Sequence, residues 1–152
     1  YWSNEAHWKW ATEPNEREKA SFLKENILPI RESGQLQFIP VQDNYAWLDN
    51  ISIRFVHGHT AAMMLPQIQY KNNTFLYVAD LFPSASHIPL PYIMAYDMFP
   101  YTTLQEKKSF LNEALQHNYI FIFEHDAHYE CCTLKQTEKG IAPKDFFLLK
   151  DV

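Results

Sequence analysis

Between residues 15 and 30, Ala20, Leu23, Ile27 and Ile30 recur at steps of three and four, the period of an amphipathic helix. Pro14 followed by Asn15 and Glu18 resembles a capping box, so a helix over about 15–30 is expected, with Gly34 in the turn beyond it. From residue 35 the period shortens to two. Leu36 and Phe38, running into Pro40, predict a short strand; after a turn at Asp49–Asn50, Ile51, Ile53 and Phe55 alternate with Ser52 and Arg54 as a second. Met63 to Tyr70 and Thr74 to Ala79 read as two further strands joined by a turn at Lys71–Asn73. Residues 81–102 carry Pro83, Pro89, Pro91 and Pro100 with little periodicity, as expected of a long ordered loop, and such loops are often functional. Thr103 and Glu106 read as a second capping box, opening a helix with Leu104, Phe110, Leu111, Ala114 and Leu115 on one broad side and an end near His117–Asn118. Tyr119 to Phe123 is an apolar strand, and two more are expected at about 130–136 and 145–150, with Gly140 in the turn. Residues 1–13, with Trp2, Trp8 and Trp10 among polar neighbours, read as a short helical or irregular arm that needs a docking surface. Helix, strands, loop, helix and strands make an α/β (α+β layered) domain with a mixed sheet.

Composition narrows the function classes. The 152 residues are 47% hydrophobic and 20% charged, with only three glycines, which excludes disorder and collagen-like repeats. Acidic residues outnumber basic ones 18 to 13, for a net charge of −5, and no Lys/Arg run occurs, so nucleic acid is not the expected partner. No apolar stretch reaches the roughly 20 residues of a membrane span, and a membrane partner is not expected either. Aromatic residues make up 16% of the chain, which points to a large core or to a surface that packs against something more. The two cysteines, Cys131 and Cys132, are adjacent and have nothing else to pair with, so a reducing, cytoplasmic compartment is expected. The chain begins at Tyr1 rather than Met, and the expectation is a piece of a longer polypeptide.

Three polar residues share one feature: each stands where an apolar strand stops. His59 follows the 51–56 strand, Asp80 ends the 74–79 strand and His125 ends the 119–123 strand. Side chains at neighbouring strand ends converge on one rim of a sheet, where layered α/β proteins place ligands. Imidazole and carboxylate together suit zinc, and also iron or manganese. Taken one at a time, a histidine after a strand is more often a hydrogen-bonded turn residue, and an aspartate there an N-cap. Rival sets exist: His57 with His59, His125 with His128, and a thiol of Cys131 or Cys132 beside His128. There is no GxSxG elbow, no glycine-rich phosphate loop and no HExxH.

Three segments carry a family resemblance. FVHGHT at 55–60, FLYVADLFPS at 75–84 and IFIFEHD at 120–126 resemble, in order, the C-terminal half of a metallo-β-lactamase-fold hydrolase. The resemblance covers about residues 36–150 and implies the C-terminal half of an αββα sandwich, with residues 1–34 an N-terminal helical segment and 35–152 the half-domain. It implies that His59, Asp80 and His125 are metal ligands, with Asp80 bridging two metals. The implied activity is hydrolysis by a metal-activated water, on a lactone, ester, thioester, phosphoester or β-lactam. His87, Tyr92 and Tyr96 of the long loop would then border a small-molecule substrate. The sequence departs from the family in having no HxHxDH segment, the source of the remaining ligands, and Ala61-Ala62-Met63 follow the GHT in place of Pro-Gly-His. The expectation is therefore a part of a hydrolase, inactive alone. Its bare half-sandwich face would self-associate, giving a homodimer. The alternatives are a non-enzymatic partner-binding module on the same half-fold and an unrelated α/β domain with structural histidines.

Overall fold

The computed structural model describes all 152 residues. Alternation in the middle of the chain becomes three antiparallel strands, β4 (Ile51–Val56), β5 (Met63–Tyr70) and β6 (Asn73–Tyr77). They continue into a seven-stranded sheet of order β3-β4-β5-β6-β7-β8-β9, where β3 is Tyr45–Leu48, β7 Ile120–Ile122, β8 Cys131–Thr137 and β9 Gly140–Phe147. Within this sheet only β6 and β7 pair in parallel, so the chain must cross over between them. That crossover contains the long loop and helix α3 (Pro100–His117).

Register fixes which face each side chain takes. Ile53 stands opposite Pro66 and Phe55 opposite Met64, placing these on one face, while Arg54 opposite Leu65 and Val56 opposite Met63 lie on the other. The second face is covered by α3, and Val56, Leu65, Leu76, Val78, Phe82, Phe110, Leu111, Phe121 and Cys132 form the main core there. The first face holds two smaller clusters, Ile39, Ile53, Phe55 and Ala62 in one and Phe75, Ile120 and Cys131 in the other. Adjacent cysteines on a strand thus bury into opposite faces. The first face is less well covered: Trp47, Met64, Ile68, Tyr77, Ile122 and Phe147 stay half-buried and Tyr70 is exposed.

Residues 1–34 lie along this domain. Strand β1 (Trp2–Ser3) pairs in parallel with β2 (Gln37–Phe38), and helix α1 (Glu5–Thr12) follows, capped by the Asn4 side chain at the His7 amide, 2.8 Å. Asn4 is fully buried and donates to the Ala62 carbonyl at 2.8 Å; Trp2 meets the edge of Trp47 and Trp10 packs on Phe99.

Four expectations are corrected. The helix foreseen over 15–30 is confined to α2 (Lys24–Glu32). Asn15 turns its side-chain oxygen to the amides of Arg17 and Glu18, and Glu18 is held by Asn15 and Trp10, so this stretch is a set of turns. Tyr45–Leu48 is an unforeseen strand. The last strand runs 140–147 rather than 145–150; Pro143 is accommodated because β9 is an edge. Helix α3 starts at Pro100, three residues before the expected cap, with the proline in the first turn, where its missing N–H costs nothing. No helix is long and apolar enough to cross a membrane.

Candidate metal centre

His59, Asp80 and His125 reach one rim of the sheet. His59 lies in the turn after β4. Asp80 sits not in β6 but in the short 3-10 turn Ala79–Leu81 that follows it, where Ala79 takes a left-handed φ of 41° that redirects the chain at the strand end. His125 follows β7, its amide donating to the Pro83 carbonyl at 3.1 Å. The neighbouring Asp126 ties this turn to the long loop by accepting from the amides of Ala85, His128 and Tyr129.

Asp80 occupies the middle. Its Oδ2 is 3.4 Å from His59 Nε2 and its Oδ1 is 3.4 Å from His125 Nε2. Each oxygen therefore faces a different imidazole. Both distances are long for an N–H···O hydrogen bond, which clusters near 2.9–3.0 Å. They match a different geometry: two donors about 2.05 Å from one tetrahedral cation stand about 3.4 Å apart. Glu124 adds a second carboxylate, its Oε1 3.9 Å from His125 Nε2, and donor atoms of Asp80, Glu124 and His125 all lie within 4.8 Å of one another. The imidazole and carboxylate donors suit a divalent cation, and the residues present fit one.

His59 is oriented from behind. Its Nδ1 is 2.8 Å from Oδ1 of Asp97, a residue only 4% exposed. An ionised carboxylate can only accept, so Nδ1 carries the proton, and in the neutral imidazole Nε2 is the lone pair facing Asp80. This carboxylate–histidine arrangement is the one that fixes the tautomer of metal-ligating histidines. Burial would push the His59 pKa down, but the Asp97 hydrogen bond and the charges of Asp80, Asp97 and Glu18 outweigh it and raise the value above 6.5. The second oxygen of Asp97 is buried without a partner, so nothing else competes for the carboxylate. Nearby, burial and the Glu124 carboxylate push the Tyr77 phenol well up, keeping it a hydrogen-bond donor.

His59, Asp80 and Glu124 line a cavity of about 380 Å³ whose other walls include Trp2, His7, Phe22, Met64 and Tyr77. His7 is fixed by an Nδ1 contact of 2.9 Å to the Ala61 carbonyl. The N-terminal segment therefore closes one side of the site.

No protein-family model matches the chain, and no curated protein matches its sequence. Solved structures match its fold. A probable metal-dependent hydrolase from Staphylococcus aureus superposes with a TM-score of 0.82 at 20% identity, over 97% of this chain and 51% of that one. AbOPH, a hydrolase in the β-lactamase superfamily, gives 0.75 at 13% identity over 97% of this chain and 55% of its own. The fold is a metallo-β-lactamase half-fold. AidC, a dizinc quorum-quenching lactonase, matches with a TM-score of 0.70 at 18% identity, over 97% of this chain and 55% of its own. The chain spans about half the length of these structures.

Within the half-fold the rival sets separate. His57 is exposed and its Nδ1 accepts from the Ala62 amide at 3.3 Å; exposed His128 packs by its edge on Tyr129. Neither shares the cluster around Asp80. Burial pushes the thiols of Cys131 and Cys132 up to about 11 and about 12, the opposite of what an activated thiolate nucleophile requires. Sequence reasoning missed Asp97, Glu124 and His7. Glu124 adjoins a residue already singled out and follows the same strand end; nothing in the pattern around Asp97 or His7 marks them.

Proposed function

We propose that this chain supplies part of the metal centre of a hydrolase, with His59, Asp80 and His125 as ligands and Asp80 shared between two cations. The observation that carries the reading is Asp80, whose two carboxylate oxygens each stand 3.4 Å from a different imidazole. A divalent metal there would supply Lewis-acid polarisation of the scissile carbonyl or phosphoryl group and acidify a water. Zinc is the metal we favour, supported by the imidazole-rich donor set and by the dizinc character of AidC. Glu124, beside His125, is placed to accept a proton at Oε1, and the Tyr77 hydroxyl to donate to a substrate oxygen. Asp97 holds the proton on His59 Nδ1. The apolar wall of Trp2, Phe22 and Met64 excludes water from one side and accommodates an apolar substituent of an ester, lactone, thioester or phosphoester.

In this reading residues 35–152 form the half-domain, and residues 1–34 wall its cavity. His59 and Asp80 on one side, and His125 and Asp80 on the other, would give each cation two protein ligands where a catalytic zinc takes three, so in this reading the chain alone is not a competent hydrolase. The sheet face bearing Trp47, Met64, Ile68 and Ile122 then associates with a second copy. The buried, unpaired cysteines support a reducing, cytoplasmic setting.

The test is metal content per chain by elemental mass spectrometry after zinc loading, for wild type, His59→Ala and His125→Ala. Zinc retained by the wild type and lost in both variants is expected. Equal retention in all three refutes the ligand assignment. A monomer by light scattering at high concentration refutes the association.

A further inference from the structure

The Thr103–Glu106 pair that resembles a capping box does something else. Glu106 lies in the second turn of α3, and its two oxygens accept from the amides of His57 and Gly58, at 2.6 and 3.0 Å. These amides belong to the turn that carries His59. The next residue, Lys107, is only 1% exposed, and its ammonium donates to the carbonyls of His87 at 2.6 Å, Tyr92 at 2.7 Å and Pro89 at 3.3 Å. Those carbonyls belong to the loop that goes on to deliver Asp97. The two segments also meet each other: the amides of Met98 and Phe99 donate to the carbonyls of His59 and Gly58, at 3.2 and 2.8 Å.

We propose that Glu106 and Lys107 are positioning residues for the candidate metal centre, holding the His59 turn and the Asp97 loop in register so that Asp97 sets the tautomer and direction of His59. Two adjacent and opposite charges on one helix each grip the backbone of one segment. Neither touches a metal donor atom. A carboxylate is required at 106 because two N–H groups point at it, and an amide side chain offers only one oxygen. A donor-bearing side chain is required at 107 because its targets are all carbonyls, and a side chain without donors takes these three bonds away. The inference rests on reading His59 as a ligand, but its decisive measurement needs no metal.

That measurement is the imidazole ¹⁵N shifts of His59 in histidine-labelled, metal-free protein, for wild type, Glu106→Gln, Lys107→Met and Glu113→Gln. Glu113 lies on the same helix and pairs with Arg54, at 2.7 Å, away from the site. Wild type is expected to show the Nδ1–H tautomer at alkaline pH. Glu106→Gln and Lys107→Met are expected to give a tautomer mixture, and Glu113→Gln to lower the melting temperature while leaving His59 unchanged. In parallel zinc titrations the first two variants are expected to bind about 10-fold or more weakly, the loss typical of disturbing groups behind a ligand. An unchanged His59 tautomer in folded Glu106→Gln overturns the proposal, as does an equal change in Glu113→Gln. If Lys107→Met does not fold, Glu106→Gln decides. If no variant binds zinc, wild type included, the metal reading fails, and the tautomer still decides whether Glu106 and Lys107 position His59.

Discussion

Of the three glycines only Gly58 has no room for a side chain, and replacing it with alanine tests how α3 and the His59 turn are joined. A Cβ at this position would lie 2.3 Å from both the nitrogen and Oγ1 of Thr103 and 2.6 Å from its Cα. Ordinary contact starts near 3.4 Å, so the two segments must separate by about 1 Å. Two of the three obstructing atoms are backbone of a helix residue only 1% exposed, which cannot rotate away. Gly58 is not among the residues of positive φ, so space alone requires it. Overpacking of this kind costs about 1–3 kcal/mol. Here the shift also strains the Gly58 amide bond to Glu106 and the Phe99 amide bond to the Gly58 carbonyl, at 3.0 and 2.8 Å, adding about 1 kcal/mol each if lost. A total of about 3–5 kcal/mol corresponds to a melting temperature lower by roughly 6–20 °C for a chain of this length. Differential scanning calorimetry of Gly58→Ala measures it. Thr103→Ala in the Gly58→Ala background is expected to restore little, because it removes only Oγ1. Melting within about 2 °C of wild type, or full rescue by Thr103→Ala, would refute the packing argument.

Three other outcomes are expected. Because the His59 pKa is raised in the fold, its stabilising contribution is complete below 6.5 and disappears as pH rises through the folded value. His59→Gln should therefore lower the melting temperature more at about pH 5.5 than at about pH 8.5, and a pH-independent loss contradicts the assignment. Arg54 is 7% exposed, bonds Glu113 through both terminal nitrogens and Asp43 through Nε, and lies 4.7 Å over the Phe110 ring. Arg54→Met should cost about 2 kcal/mol at neutral pH by urea denaturation. The Arg54 hydrogen bond is the main cause of the lowered Glu113 pKa, so that cost should shrink as acid protonates Glu113; a constant cost would show packing rather than charge to be responsible. Cys131 and Cys132 should resist a colourless-to-coloured disulfide reagent at about pH 8 until urea unfolds the chain, and immediate labelling would place a thiol at the surface.

How far the fold could be read in advance depended on whether polarity tracked burial. In β4, Ile51, Ile53 and Phe55 face one side and Ser52 the other, so the strand shows in the letters. In β3 the burial does alternate, with Tyr45 and Trp47 half-buried and Ala46 and Leu48 exposed. All four residues are apolar, so no alternation was visible. The 15–30 helix failed for the opposite reason. Its residues have the right period, but α2 buries none of its side chains, and Asn15 and Glu18 satisfy turn amides and each other instead of capping. Periodicity states which residues could share a face; it does not state that a face has anything to pack on.

The same distinction governs the site. His59, Asp80 and His125 could be singled out because each follows an apolar run, and strand ends of one sheet lie along one rim whatever the loops between them do. Asp97 belongs to no periodic element and meets His59 across 38 residues, and Glu106 meets the Gly58 amide across 48. Contacts at such separations depend on where the crossover lays the loop and helix, which local pattern does not encode. Glu106 was visible as half of a motif, but its usual interpretation attached it to its own helix end. A helix that starts at Pro100 has no need of that cap, and the freed carboxylate turns to the two amides of a tight glycine turn. An acceptor whose expected partner is already satisfied is thus a pointer to a tertiary contact. Here that contact ties the helix to the turn carrying a candidate ligand.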